Sequence, residues 1–118
     1  MSYIQGILAA VPVQNKADYV ALAKESWELF RDYGALSMLE AWEDNVPDGT
    51  LTSFPMAVKR EPGEAVVFSQ IRWRDKAAAD ACFAAMESDP RWQALGEMPF
   101  DGKRMIWGFF EPIFEGRA

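Results

Sequence analysis

The residues best able to do chemistry sit two apart on two strand-like runs. Glu40 and Trp42 alternate on one run, Gln70 and Arg72 on the other. Residues two apart on a strand share a face, so a carboxylate, an amide and a guanidinium can converge beside an indole. A carboxyl on a half-apolar face is desolvated and its pKa rises, which suits general acid–base work. The same residues also make a closed Glu40–Arg72 ion pair or a Glu40–Gln70 hydrogen bond, with no chemistry at all. Tyr3 and Gln5 on a first run and Trp107 on a last one extend the wall. Tyr3, Gln5, Glu40, Trp42, Gln70, Arg72 and Trp107 are therefore the candidate pocket residues. Aromatic walls with a few convergent polar groups are how small-molecule pockets are built.

Other chemistries lack their parts. The chain has no histidine and one cysteine, Cys82, which leaves no Ser-His or Cys-His nucleophile and no soft metal site. Carboxylates at Glu40, Glu43, Asp44 and Asp48 offer oxygens to a hard cation, but their spacing matches no calcium loop; a solvated acidic loop is the simpler reading. Ser69 lies mid-strand and reads as structural. Asp101-Gly102-Lys103-Arg104 is either a phosphate-gripping turn or ordinary turn chemistry before a strand. A net charge of −6 repels a phosphate backbone, so nucleic acid is not expected as a partner. No cofactor and no metal are expected, and no catalytic residue can be assigned.

These side chains need elements to position them. Tyr3–Val11 is strand-like and gives way at Asn15–Asp18 to a helical pattern; Val66–Trp73 does the same at Asp75–Ala77. Each helix leads to another strand-like run, Ala35–Trp42 and Met105–Ile113. The order β-α-β-β-α-β is the split βαβ, or ferredoxin-like, arrangement, an α+β antiparallel sheet with helices on one face. In the first helix Tyr19, Leu22, Ala23, Ser26, Trp27 and Phe30 make the buried stripe, with Asn15 as cap and Gly34 as stop. In the second, Asp75 is the cap and Ala78, Ala81, Cys82, Ala85 and Met86 form a stripe of mostly small residues. Asp89-Pro90 ends it, and Arg91–Leu95 adds a short turn. The proline-rich stretch Glu43–Glu64 is long for a loop, and Phe54, Met56, Ala57 and Val58 are expected to form a short helical turn or a docked segment within it.

Alternation assigns the sheet's faces. Ile4, Gly6, Leu8, Leu39, Ala41, Val67, Ser69, Ile71, Ile106, Gly108 and Phe110 are expected under the helices. The seven pocket candidates, with Ile7, Met38, Phe68 and Phe109, are expected on the open face. Such an aromatic face is too apolar for water and calls for a partner or a ligand. The 118 residues fit one domain, 1–118. A single cysteine, the absence of a secretion signal and of any 20-residue apolar run place the chain in the cytoplasm, with no membrane partner.

With these residues in place, the sequence resembles the YbaA-like family of small uncharacterised bacterial proteins. The resemblance rests on Tyr33–Leu36, Glu40–Gly49, Ala57–Lys59, Val66–Ser69, Asp89–Arg91 and above all Met98–Gly108. One departure is Phe109, where the family pattern leads one to expect Gly. The resemblance implies a dimeric α/β-barrel, two ferredoxin-like subunits packed sheet to sheet, and brings no established activity. Two readings follow. One is a homodimer with a small, partly apolar molecule in its cleft. The other, by fold analogy, is a cofactor-independent monooxygenase- or isomerase-like enzyme.

Overall fold

A computed structural model describes residues 2–118. Four strands, β1 (Tyr3–Pro12), β2 (Ala35–Trp42), β3 (Glu64–Trp73) and β4 (Ile106–Phe110), form one antiparallel sheet in the order β2-β3-β1-β4. Helix α1 (Lys16–Asp32) follows β1 through a 3-10 turn, and α3 (Lys76–Ala85) follows β3. Two single-turn helices, α2 (Phe54–Ala57) and α4 (Pro90–Gln93), occupy the long connections. The expected ferredoxin-like α+β order is present.

The helices begin and end where side-chain chemistry dictates. Asp75 accepts the Ala78 amide at 2.8 Å and Asp89 the Arg91 amide at 3.0 Å, each satisfying a donor that the first turn leaves free. Asn15 precedes α1 but does not cap it; its amide donates to the Pro99 carbonyl at 2.9 Å and tethers the 95–99 segment instead. Gly34 stops α1 at φ +109°, in the left-handed region that favours glycine. A Cβ there would also lie 2.9 Å from that of Ala78, so this glycine lets α3 approach the end of α1.

The core lies between the sheet and the two long helices. Ile71 and Trp73 pack with Ala78, Ala79 and Cys82 of α3, joined by Trp27 and Phe30 of α1. The Phe30 ring meets Trp73 edge-on at 5.9 Å. Cys82 is buried, and burial pushes its thiol up to about 11. The buried stripe of α3 is rotated from the expected one: Ala79 is buried and Ala81 exposed.

The strand register corrects the expected faces. Residues opposite one another in a ladder share a face. Trp73, Ile71 and Ser69 of β3 point to the helices, as expected, and their partners are Tyr3, Gln5 and Ile7. Gln5 and Ile7 in turn pair with Phe109 and Trp107, and Ser69 and Val67 with Glu40 and Trp42. Tyr3, Gln5, Glu40, Trp42 and Trp107 therefore lie under the helices; Gln70 and Arg72 remain on the opposite face. In β2 the cause is a bulge between Ala35 and Ser37, which shifts the alternation by one residue. In β1 and β4 the cause is volume. The small residues Ala78, Ala79 and Cys82 of α3 leave room for Tyr3, Ile7 and Phe109, and Trp107, half exposed, rests against Phe83 of α3 at 5.1 Å.

Candidate functional site

Two places gather the groups singled out above, one on each face. On the covered face, Tyr19 in the first turns of α1 reaches down to the edge strand β2. Its hydroxyl donates a short hydrogen bond to Glu40 Oε1. The Ser69 hydroxyl donates to the same oxygen at 2.6 Å and lies 3.4 Å from that of Tyr19. Glu40 Oε2 makes no hydrogen bond among the described residues. Burial raises the Glu40 carboxyl above the ordinary carboxylate range, and the two donated bonds only partly offset it. The Tyr19 hydroxyl is held well above its ordinary range by burial first and by the neighbouring carboxylate second. Trp42, Phe100 and Met105 pack on the apolar cluster that includes Tyr19 and Val67, and Lys16 sits 5.1 Å from the Trp42 ring centre. This arrangement can hold a proton on a desolvated acid and orient it.

The Glu40–Arg72 pair does not form, because the two residues lie on opposite faces. Arg72 donates instead to the Ser2 hydroxyl and to Glu115 Oε1. Gln5 is buried, and its side-chain oxygen accepts from Trp73 Nε1 at 3.0 Å. Tyr3 stacks on Phe109 with ring centres 5.4 Å apart. The seven candidates thus divide between a packed core and an open face rather than lining one cleft. Ser69 and Tyr19, read as a structural strand residue and a helix-stripe residue, are the partners of Glu40. Pairing β2 to β3 in this register is the signal that would have found them.

The opposite face carries a groove of about 410 Å³. Ile4, Leu8, Phe68, Ile106 and Phe110 line it, with Gln70 as its polar group. Its floor is low because Gly6 and Gly108 are paired directly across β1 and β4. A Cβ on either would meet the Phe110 ring at 3.4 Å, so the two glycines let that ring lie across the strands. At one end Val58, in the connection after α2, packs on Ala10 and Val66, and Phe54 meets Phe68 edge-on at 6.4 Å. The long connection from Glu43 thus folds onto this face.

The other chemical motifs are occupied in structural work. Arg60 pairs with Glu43 at 2.6 Å and reaches Asp48 at 3.3 Å, while Glu43 also accepts the Val66 amide. Burial works against the Glu43 carboxylate, but that amide and Arg60 outweigh it and leave its pKa lowered. Arg104 grips Glu64 with two parallel bonds of 2.7 and 2.8 Å and bonds Asp101, so Arg104 clamps this turn to β3 and its charge is spent within the chain. Among the described residues no group of three or more His, Cys, Asp or Glu side chains is placed to hold a metal, and no helix is long and apolar enough to cross a membrane. A second groove, of about 350 Å³, runs between α1 and residues 95–99 and is lined by Asp18, Glu25 and Glu97 among others.

Known proteins share this architecture. The chain is 48% identical over 116 residues to the uncharacterized protein YbaA of Escherichia coli (strain K12), covering 98% of this chain and 99% of that one. Among solved structures, SnoaB, a cofactor-independent oxygenase from Streptomyces nogalater, superposes with a TM-score of 0.60 at 14% identity, over 97% of this chain and 95% of that one. A dimeric ferredoxin-like protein from an uncultured marine organism gives 0.59 at 13% identity, over 98% of each. These two likenesses support the ferredoxin-like fold alone. Residues 2–102 match the family described as protein of unknown function DUF1428. With that match and the likeness to YbaA along nearly its whole length, the chain belongs to the DUF1428, YbaA-like family.

Proposed function

We propose that this chain works as a homodimer whose uncovered sheet faces close on one another around a cleft for a small, partly apolar molecule. The observation that carries this reading is the groove of about 410 Å³ on that face. Leu39, Phe68, Ile106 and Phe110 stand exposed around it, a concentration of apolar surface that water does not favour. Arg72 is the charged side chain contributed to this face by the strand core, and Glu115 already neutralises it. A chain of net charge −6 can therefore meet its own copy here without setting like charges against each other. Gln70 supplies a directional hydrogen bond, so the ligand class is a compact apolar body with one amide, carbonyl or hydroxyl group. The single buried cysteine suits the cytoplasm, which belongs to the same proposal.

Light scattering at micromolar concentration tests the dimer: the mass should be twice 13.3 kDa, and a folded monomer there removes the reading. A thermal-shift screen of small metabolites tests the ligand, since a binder stabilises by mass action. A hit should lose its shift in Gln70→Leu; a shift of unchanged size removes Gln70 from the site.

The Glu40–Tyr19–Ser69 trio favours a second reading, cofactor-independent acid–base chemistry. Glu40 would take a proton from an acidic C–H of a molecule admitted on the covered side of the sheet, a site distinct from the groove, and Tyr19 would steady the charge that develops. The likeness to SnoaB is one of fold and supports this reading only by analogy. A ligand found in the screen should exchange its acidic C–H for deuterium in heavy water. Exchange at the same rate in Glu40→Gln would end this reading.

A further inference from the structure

Beyond β4 the chain does not leave the sheet. Phe110 ends the strand, and five residues later Glu115 pairs with Arg72 of β3. Between β4 and β3 lies β1, so residues 111–115 must span two strand spacings, about 10 Å. They do so at the end of the uncovered face where Ile4 sits opposite both Phe110 and Arg72. The crossing does not bury the segment's own apolar side chains: Ile113 is 94% and Phe114 87% exposed. A strap serving only its own subunit would turn these two inward, onto Ile4 and Phe110. This one is pinned at Glu115 and presents Ile113 and Phe114 outward.

We propose that Ile113 and Phe114 form a reciprocal arm that seats in the groove of a second copy of this chain. The inference rests on the homodimer half of that reading and adds to it the residues that lock the pair; with the arm seated, a small molecule enters the groove only by displacing it. Two-fold symmetry makes the contact isologous: each arm fills the other copy's groove beside Phe68 and Ile106, and each groove receives one arm. The occupant is a second copy because both halves of the contact are on this chain, an apolar groove and an apolar projection beside it. The pin also removes the Arg72 charge from the face that must be desolvated.

The test is the dissociation constant of the dimer, measured by sedimentation for the wild type and for Ile113→Ser/Phe114→Ser. Both side chains are exposed in the subunit, so the variant should fold with unchanged helical circular dichroism and unchanged monomer stability. Its dissociation constant should rise at least 100-fold, and Arg72→Met, which frees the pin, should raise it about tenfold. A dimer unmoved by the double substitution overturns the arm while leaving the homodimer intact. A wild-type monomer overturns both. Photo-cross-linking from position 114 in a mixture of isotopically light and heavy chains separates the remaining arrangements. Mixed light–heavy products to the groove support the arm, and products confined to one chain overturn it by placing Phe114 on its own subunit.

Discussion

The two faces of this sheet differ less in hydrophobicity than in size. The covered face carries Tyr3, Trp42, Trp73, Trp107 and Phe109, and the helix above most of them, α3, presents Ala78, Ala79 and Cys82. Tyr3, Trp73 and Phe109 meet these small residues, while Trp107 rests half exposed on Phe83. The uncovered face inverts the pattern: Gly6, Ala10, Ala41 and Gly108 lie among Leu39, Phe68, Ile106 and Phe110. A surface that meets a different element can be all knobs. In the homodimer proposed above, a surface that meets its own copy must carry knobs and holes together, because each residue is offset against another of the same sheet. Polar groups divide in the same way. On the covered face Gln5 and Trp73 satisfy one another within the subunit, while Gln70 is left facing the groove.

The sharpest way to break this comparison is Trp73→Ala. Trp73 is 1% exposed at the centre of the covered core, and truncation there should cost the subunit about 3–5 kcal/mol in urea unfolding. A loss below 1 kcal/mol would mean that the large-to-small fit is not what holds α3 down. Phe68→Ala probes the other face. It should weaken association by about 2 kcal/mol while leaving subunit stability within about 1 kcal/mol. If it unfolded the subunit as Trp73→Ala does, the two faces would not be distinct in kind.

The smallest effect sharpens the polar side of the comparison. The Glu40 carboxyl has its pKa raised by burial, so the folded state holds that proton more tightly than the unfolded chain. Its contribution to stability is full below the ordinary value of 4.5 and is lost as pH rises through the raised folded value. Glu40→Gln keeps an acceptor for Tyr19 and Ser69 but cannot ionise. Unfolding midpoints measured from pH 4 to 8 should fall for the wild type relative to the variant as pH rises. Parallel curves would mean that Glu40 ionises without cost.

Element order, the Asp75 cap and the loops were legible because they rest on local chemistry, whereas Asn15, read as the cap of α1, is drawn to Pro99, far away in sequence. Asp75 reads as a cap and Phe54–Val58 as a turn of helix, and each forms from neighbours in sequence; Asp89, read as the stop of α3, instead caps α4 after α3 has ended at Ala85. The face of β3 was legible too, since that strand runs without a bulge from Glu64 to Trp73. The faces of β1, β2 and β4 were not. One extra residue near Leu36 reverses β2, and no local pattern announces it. In β1 and β4 ring size suggested an outer surface, whereas it answers the small stripe of α3, a long-range fit that alternation does not encode. For that reason the seven candidates do not share one cleft: Glu40 joins Ser69 and Tyr19 on the covered face, and Gln70 and Arg72 lie on the other.

Cys82 turns the covered face into a timepiece. It is the chain's one thiol, it lies on the buried side of α3, and with its pKa pushed up to about 11 it stays protonated at neutral pH. Thiolate, not thiol, attacks an alkylating reagent. The seated cysteine is therefore silent twice over, by shielding and by protonation, and becomes reactive only when α3 lifts from the sheet. The pace at which a thiol reagent marks the protein counts those liftings, without any label being engineered in. Compared with the rate of global unfolding, it tells whether the alanine-lined helix opens alone or only with the whole subunit.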